Sequence, residues 1–406
     1  MDASEPPHTH AGPGHRFAWR LAFGSLLTSA ATMATLAPFA IGVLGPYVTS
    51  EFDLTNTSFG GLGTTFFALA GSGSLLAAFF IDRFDPRAMF RASFGISALS
   101  LVLIAVAPSY WPLAAAMAIG GAGAALLHPV TNLLIGLHLP AGTRGVIMGL
   151  KQSGVQLGAA FSGAVLPTAA MLIGWRTAFA GIGVLAATGI LWALIVVPPT
   201  PNVVRQTARL RLRLTPLLRW LCPYALLMGI GASAFGMYIV LYAVEDLAMG
   251  FALAGLAATI AGLASVISRI VWAALAERLG AIAALMTALA ALASGAIATL
   301  LAAATLEAAW LVWVAAVIFG ASGTAWNGVA HLAVVQETEP AQTGQASSLL
   351  QFAFFSGLLI GPVAFGTILD HLDSYHTAWS AIVGIYVVAT LIGWGWMKWA
   401  RAAARA

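Results

Sequence analysis

Twelve apolar runs, each of 18 residues or more, fill most of the chain between Arg20 and Trp399. At about 1.5 Å per residue, each is long enough to cross a hydrocarbon core about 30 Å thick as a helix. Lipid offers the backbone no hydrogen-bond partners, so only helices and closed barrels span it. The runs lack the two-residue alternation of barrel strands. They predict an all-α membrane protein with twelve transmembrane helices at 20–46, 57–81, 89–107, 112–137, 146–172, 177–197, 217–243, 252–275, 282–303, 309–335, 344–369 and 378–399.

Charge supports the same class. Only 8% of residues are charged against 60% hydrophobic, whereas a soluble domain has roughly a quarter of its residues charged. The segment Met1 to His15 is rich in Pro, Gly and His and has no apolar h-region, so it reads as a cytoplasmic tail and not as a cleaved signal. Its histidines His8, His10 and His15 are expected to be solvated, with no metal and no cofactor. The single cysteine, Cys222, sits in an apolar span and is expected to pack.

Lys and Arg are retained on the cytoplasmic side of a membrane protein. With the N-terminus inside, one face collects Arg16, Arg83, Arg87, Arg91, Arg144, Arg205, Arg209, Arg211, Arg213, Arg278, Arg401 and Arg405, and the other receives only Arg176. That Arg-poor face instead carries Glu51, Asp53, Glu245, Asp246, Glu307, Asp370 and Asp373. The pI near 9.5 therefore reports topology, and nucleic-acid binding is not invoked. Both termini are expected in the cytoplasm of a bacterium, with the chain in its inner membrane as a monomer.

The longest arginine-rich polar stretch, Pro198 to Thr215, divides the chain nearly in half. A shift of about 199 residues brings Arg20 onto Arg219, Trp175-Arg176-Thr177-Ala178-Phe179 near Tyr375-His376-Thr377-Ala378-Trp379, and Asp82-Arg83 near Glu277-Arg278. Two pseudo-symmetric six-helix bundles are expected at 19–197 and 217–400, joined by a linker at 198–216 and flanked by tails at 1–18 and 401–406.

Six plus six spans, a basic central loop and acidic-Arg pairs after spans 2 and 8 resemble the major facilitator superfamily over nearly the whole chain. Its loop signature is represented by Ala78 to Arg87, which keeps Asp82, Arg83 and Arg87 and lacks both glycines. The resemblance implies that Asp82 and Arg83, with Glu277 and Arg278, steady one gated state. Arg144-Gly145-Val146-Ile147-Met148-Gly149-Leu150-Lys151-Gln152-Ser153-Gly154-Val155, preceded by His128-Pro129-Val130-Thr131-Asn132, is similar to the cyanate-permease-like branch, whose members move small anionic or polar solutes. Ser268-Arg269-Ile270-Val271-Trp272 before Glu277-Arg278 resembles span 8 of monocarboxylate transporters and oxalate:formate antiporters, which implies that Arg269 contacts a substrate carboxylate. The aspartate those transporters carry one turn earlier is Ser265 here.

Ionisable and strongly polar groups inside a span are costly and are functional candidates by default. Span 4 carries His128 and Asn132 on one helical face, and span 10 carries Asn327 and His331 at the same shift with the order swapped. By helical rise, His128 and Asn327 lie about 15 Å from the cytoplasmic helix ends, and Asn132 and His331 about 9 Å. The histidines can bind substrate, relay a proton, or tie helices together. Two cations, Lys151 in span 5 and Arg269 in span 8, lie roughly 10 Å in. Lys151 is long enough to snorkel to the interface; if instead it faces Arg269, an anion would relieve their repulsion. Gln152, Gln156 and Gln351 add hydrogen-bonding capacity, and Trp326 beside Asn327 is placed to wall a site. Tyr238 and Tyr242 share a face of span 7, as an outer gate or as interfacial anchors.

The chain contains no nucleotide-binding loop and no His-Glu-x-x-His, and the intramembrane histidines lack acidic or cysteine partners, which argues against an ATPase or an enzyme. Secondary transport of a small, carboxylate-like anion is expected, driven by a proton or a counter-solute. The alternative is export of drug-like compounds. Exporters of the superfamily often carry a Gly-Pro motif in span 5, which the glycines from Gly154 to Gly163 do not include.

Overall fold

A computed structural model describes residues 13–80, 84–198, 216–337 and 343–403, and every element in them is an α-helix. The first six spans are covered by α1 (Pro13–Val43), α3 (Asn56–Phe80), α4 (Pro86–Val106), α5 (Tyr110–His138), α6 (Ala141–Ile173) and α7 (Trp175–Val196), with a short α2 (Gly45–Phe52) after α1. The later spans are α8 (Pro216–Glu245), α9 (Phe251–Leu279), α10 (Ile282–Thr305), α11 (Leu311–Ser322) with α12 (Trp326–Glu337), α13 (Thr343–Leu372) and α14 (Tyr375–Ala403). Eleven stretches among the described residues are long and apolar enough to cross a membrane. The 25-residue α3 adds a twelfth helix of spanning length. Asp82 and Arg83 lie outside the described residues, as does most of the linker.

Local chemistry sets several ends. Asp85 caps α4 by accepting from the Arg87 amide at 3.2 Å, with Pro86 in the first turn where no donor is needed. Gly280, at φ +60°, closes α9 in the left-handed conformation that glycine adopts without strain. Five prolines, Pro38, Pro129, Pro167, Pro223 and Pro362, sit inside helices that continue through them. Span 10 departs from expectation. Expected as one helix over 309–335, it is broken at 323–325, where the Thr324 hydroxyl bonds sideways to the Ser265 hydroxyl of α9.

Arg144 ties the end of α5 to the start of α6. Its Nε donates to Leu139 O and its Nη2 to Gly136 O, both at 2.8 Å, so two carbonyls that the helix end orphans are satisfied. The Arg144→Ala protein is expected to lose about 1 kcal/mol, since water replaces part of the bonding at this exposed site. Arg144→Lys should recover less than half, because a point donor cannot span both carbonyls as the guanidinium fork does. Thermal unfolding in detergent checks this, and an unchanged midpoint for Arg144→Ala would refute it.

The described residues group into two compact units. The first takes the described residues within Met1–Ala37, Ala68–Gly158 and Ile173–Ala208, and the second those within Pro38–Phe67, Ala159–Leu172 and Arg209–Ala406. In the first, α4 packs on α5 and α7. Ser93 and Ser100 of α4 donate to Gly123 O and Ala116 O of α5 at 2.9 and 2.8 Å, using small residues to bring backbones close. Thr32 of α1 donates to Gly154 O of α6 at 2.9 Å.

In the second unit α8 packs on α13 and α10 on α14. The Arg-poor ends of α1, α3 and α6 belong to this unit. There a Cβ on Gly42 would stand 2.3 Å from Gly236 O, one on Gly60 2.2 Å from Pro362 O, and one on Gly163 2.4 Å from Gly255 O. Each of these pairs is a near-contact of two helix backbones.

Candidate functional site

The first unit holds a buried cation. Lys151, on α6, is 1% exposed. Its Nζ donates to Thr131 Oγ1 at 3.1 Å and to Asn132 Oδ1 at 2.6 Å, both on α5. The expected snorkelling of Lys151 to the interface does not occur. The polar pair on α5 stabilises the ammonium where it is, which is the better solution when a neighbouring helix supplies acceptors.

Donor and acceptor roles within this trio are set by the backbone. The Thr131 hydroxyl donates to Leu127 O at 2.7 Å, so it meets Lys151 as an acceptor. Asn132 turns its carbonyl oxygen to Lys151, which leaves its amide donors directed elsewhere on an exposed side chain. Two of the ammonium's three donors are used. Among the described residues Lys151 has no carboxylate partner, so its charge is balanced only by neutral dipoles.

The other sequence candidates of this unit lie nearby in the chain. His128 is half-buried one turn before Asn132 on the same helix, and Gln152 is half-buried beside Lys151 in sequence. Gln156 is 7% exposed. Thr131, between His128 and Asn132, carries no signal of this role in the sequence. A threonine in an apolar helix is most simply bonded to its own preceding turn, and only the position of α6 gives it a second role.

In the second unit, Arg269 sits on α9 with its Nε buried. Its neighbour Ser268 donates to Gly320 O at 3.2 Å, Trp272 donates to Ala321 O at 2.8 Å, and Ser265 pairs with Thr324. Together these bonds fasten α9 to the end of α11 and the break that follows it. Ser265 thus has a hydroxyl partner where the resembled transporters have an aspartate.

Trp326 opens α12 and is fully buried, with its ring edge-on to Tyr224 and Phe354 at 5.7 and 5.3 Å between centroids. Its indole N–H has no hydrogen-bond partner among the described residues. Asn327, His331 and Gln351 are half-buried on α12 and α13. Among the described residues no group of three or more His, Cys, Asp or Glu is placed to hold a metal.

The gating candidates separate. Glu277 and Arg278 are exposed at the end of α9. Tyr238 and Tyr242 are both buried, and neither has the half-wet setting of an interfacial anchor. Tyr242 donates to Leu300 O of α10 at 2.8 Å, inside the bundle. Tyr238 donates to Asn56 O of α3 at 2.6 Å and to Pro362 O of α13 at 3.1 Å, and so belongs to the junction where the Arg-poor end of α3 meets α13.

Known proteins share this architecture. A bacterial homologue of the human lysosomal transporter Spinster, solved in an inward-facing and unoccupied conformation, superposes with a TM-score of 0.78 at 15% identity, covering 94% of this chain and 97% of that one. A D-xylose-proton symporter gives 0.76 at 16% identity, with coverage of 93% and 97%. A POT family transporter in complex with 5-aminolevulinic acid gives 0.77 at 14%, with coverage of 96% and 97%. At such identities the likeness shows the fold alone.

A curated relative, the uncharacterized MFS-type transporter YhcA of Bacillus subtilis (strain 168), is 27% identical over 168 residues, a segment that spans 40% of this chain and 31% of that protein. The family profile described as Major Facilitator Superfamily matches residues 21–362. With that match over most of its length and helices arranged like those of solved transporters, the chain belongs to the Major Facilitator Superfamily of membrane transporters.

Proposed function

We propose that the protein is a secondary transporter of a small anionic, carboxylate-like solute in a bacterial inner membrane, with its arginine-rich loops and both termini in the cytoplasm. The observation that carries the anion reading is Lys151: an ammonium buried inside a membrane helix, held by a threonine and an asparagine and, among the described residues, paired with no carboxylate. A charge so placed costs several kcal/mol unless something it binds repays the desolvation. An anion taking the third ammonium donor, with Asn132 offering its amide beside it, would do so.

Arg269 supports the reading as a second intramembrane cation, half-buried with its Nε shielded, and its fork of donors suits a planar carboxylate. His128 and His331 are the groups proposed to carry a coupled proton, because imidazole changes charge near neutral pH. The similarities to the cyanate-permease-like branch and to monocarboxylate transporters in span 8 favour the same solute class. Gln152, Gln156, Asn327 and Gln351 would supply further hydrogen bonds.

A thermal-shift screen of the purified protein against small carboxylates, inorganic anions and cationic drugs tests the proposal. At about 100 times its Kd a ligand adds about 2.7 kcal/mol of stability, so a true substrate raises the melting point by several degrees. At least one anion is expected to do this in the parent protein and to lose most of the effect in Arg269→Ala and His128→Ala. Stabilisation by cationic drugs with none by any anion would replace this reading with drug export.

A further inference from the structure

We infer that Asp370 is the latch of an outer gate, acting as a helix cap that α13 supplies to α3. Helix α3 begins at Asn56, and its first amides have no partners within the helix. Thr55 provides part of the ordinary remedy: its Oγ1 accepts from the Ser58 amide at 3.2 Å and its carbonyl from the Phe59 amide at 2.9 Å. The two leading amides are satisfied from far away in sequence. Asp370, near the end of α13, accepts from the Asn56 amide at 2.8 Å through Oδ1 and from the Thr57 amide at 2.7 Å through Oδ2. Oδ1 also accepts from Asn56 Nδ2 at 2.9 Å. One carboxylate thus closes the end of a helix whose positive pole attracts it.

The cap sits at the end of a continuous seam. Moving away from it, Thr57 bonds Thr367, Tyr238 bridges Asn56 O and Pro362 O, and Thr64 donates to Leu359 O at 2.7 Å. A Cβ on Gly366 would stand 2.3 Å from Asn56 O. The two helices therefore run antiparallel in contact, and the bonds to Asp370 exist only while they do.

All of these residues belong to the second compact unit, where the Arg-poor ends of α1, α3 and α6 gather. In the proposed orientation that end faces outside. An alternating-access transporter must part such a seam to admit or release solute on that side. Asp370 is exposed, so water can take over both amides and the carboxylate when the helices separate. That makes the cap reversible: strong enough to bias the closed seam and weak enough to release.

The inference rests on the transport reading and on no particular solute. Its test uses the full-length protein in detergent with Cys222→Ala to remove the native thiol and Met237→Cys as reporter. Met237 is 1% exposed and packs near Gly63 of α3 and Gly42 of α1, so its position is shielded while the seam is closed. Reaction with a maleimide reads how often the seam opens.

Asp370→Asn, nearly isosteric at an exposed site, is expected to speed labelling about tenfold, as loss of a charged N-terminal cap implies. Asp373→Asn removes the same charge from the neighbouring loop and is expected to change the rate less than twofold. Asp370→Glu restores a carboxylate and is expected to bring the rate back toward the parent value. A capping residue with a merely local role would lower the melting point without exposing the reporter. Equal labelling for Asp370→Asn and Asp373→Asn, or Asp370→Glu as fast as Asp370→Asn, would overturn the inference. Neither outcome bears on anion binding, and a failed anion screen leaves the labelling result standing.

Discussion

Replacing Lys151 by methionine is expected to leave the protein folded at least as stably as the parent while weakening anion binding a hundredfold or more. Methionine matches lysine in length and flexibility, so the 1%-exposed slot on α6 stays filled. Thr131 keeps its bond to Leu127 O, and the exposed Asn132 turns to solvent, so neither former partner is stranded. Substituting an apolar side chain for a buried charge is often neutral or stabilising, because the desolvation cost disappears with the charge. Binding moves the other way. Removing one member of a desolvated charge pair costs about 2–5 kcal/mol, and each 1.4 kcal/mol is tenfold in Kd. Titrating the melting point of both proteins with the best anion of the screen gives the two Kd values side by side. If Lys151→Met binds that anion within threefold of the parent, Lys151 is a structural tie between α5 and α6, and the anion reading loses its main support. Thr131→Val offers an intermediate case: it keeps the ammonium, removes one acceptor, and should weaken the protein more than it weakens binding.

The sequence and the structure part company over long-range contacts. The spans were legible because lipid allows few ways to satisfy a backbone, and an apolar run of 20 to 30 residues has little choice but to be a helix. The family was legible from charges at loop positions that recur in both halves. The break in span 10 was not. Hydropathy averages over it. What marks the break is the Thr324 bond to Ser265, 59 residues earlier. Lys151 shows the same limit, since its acceptors lie 19 and 20 residues before it, and no spacing rule says that α5 and α6 turn those faces together. Tyr238 and Tyr242 share a helix face, yet one reaches α3 and α13 while the other is tied to α10. Asp370, read from sequence only as part of the acidic face, gains its meaning from an amide 314 residues away.

The largest loss of stability from a single methyl group is expected for Gly357→Ala on α13. In an exposed helix interior such a change stabilises by up to about 1 kcal/mol, because alanine is the better helix former. Here the added Cβ would stand 2.1 Å from Leu226 O, 2.9 Å from Ile230 N and 3.0 Å from the Gly229 Cα, all backbone atoms of α8. No side chain can move aside to make room. The crowding is reciprocal, since a Cβ on Gly229 would meet Phe354 O at 2.5 Å, and one on Gly361 would meet Ile230 O at 2.2 Å. In lipid, helices gain little by hiding from their surroundings, and close van der Waals packing is the main force between them. Relieving the clash means separating two backbones by about 1 Å along this seam, which forfeits a large part of their contact energy. A cost of about 1–3 kcal/mol or more follows, a fall of roughly 5 °C in the unfolding midpoint. Gly384→Ala on α14 is the matched control, an exposed helical glycine whose Cβ would have nothing within 4 Å. It should unfold at the parental temperature or slightly above. If Gly357→Ala unfolds with that control, α8 and α13 do not approach as closely as the structure places them. The backbone seam, and not the aromatic side chains around it, would then lose its claim to hold the second unit together.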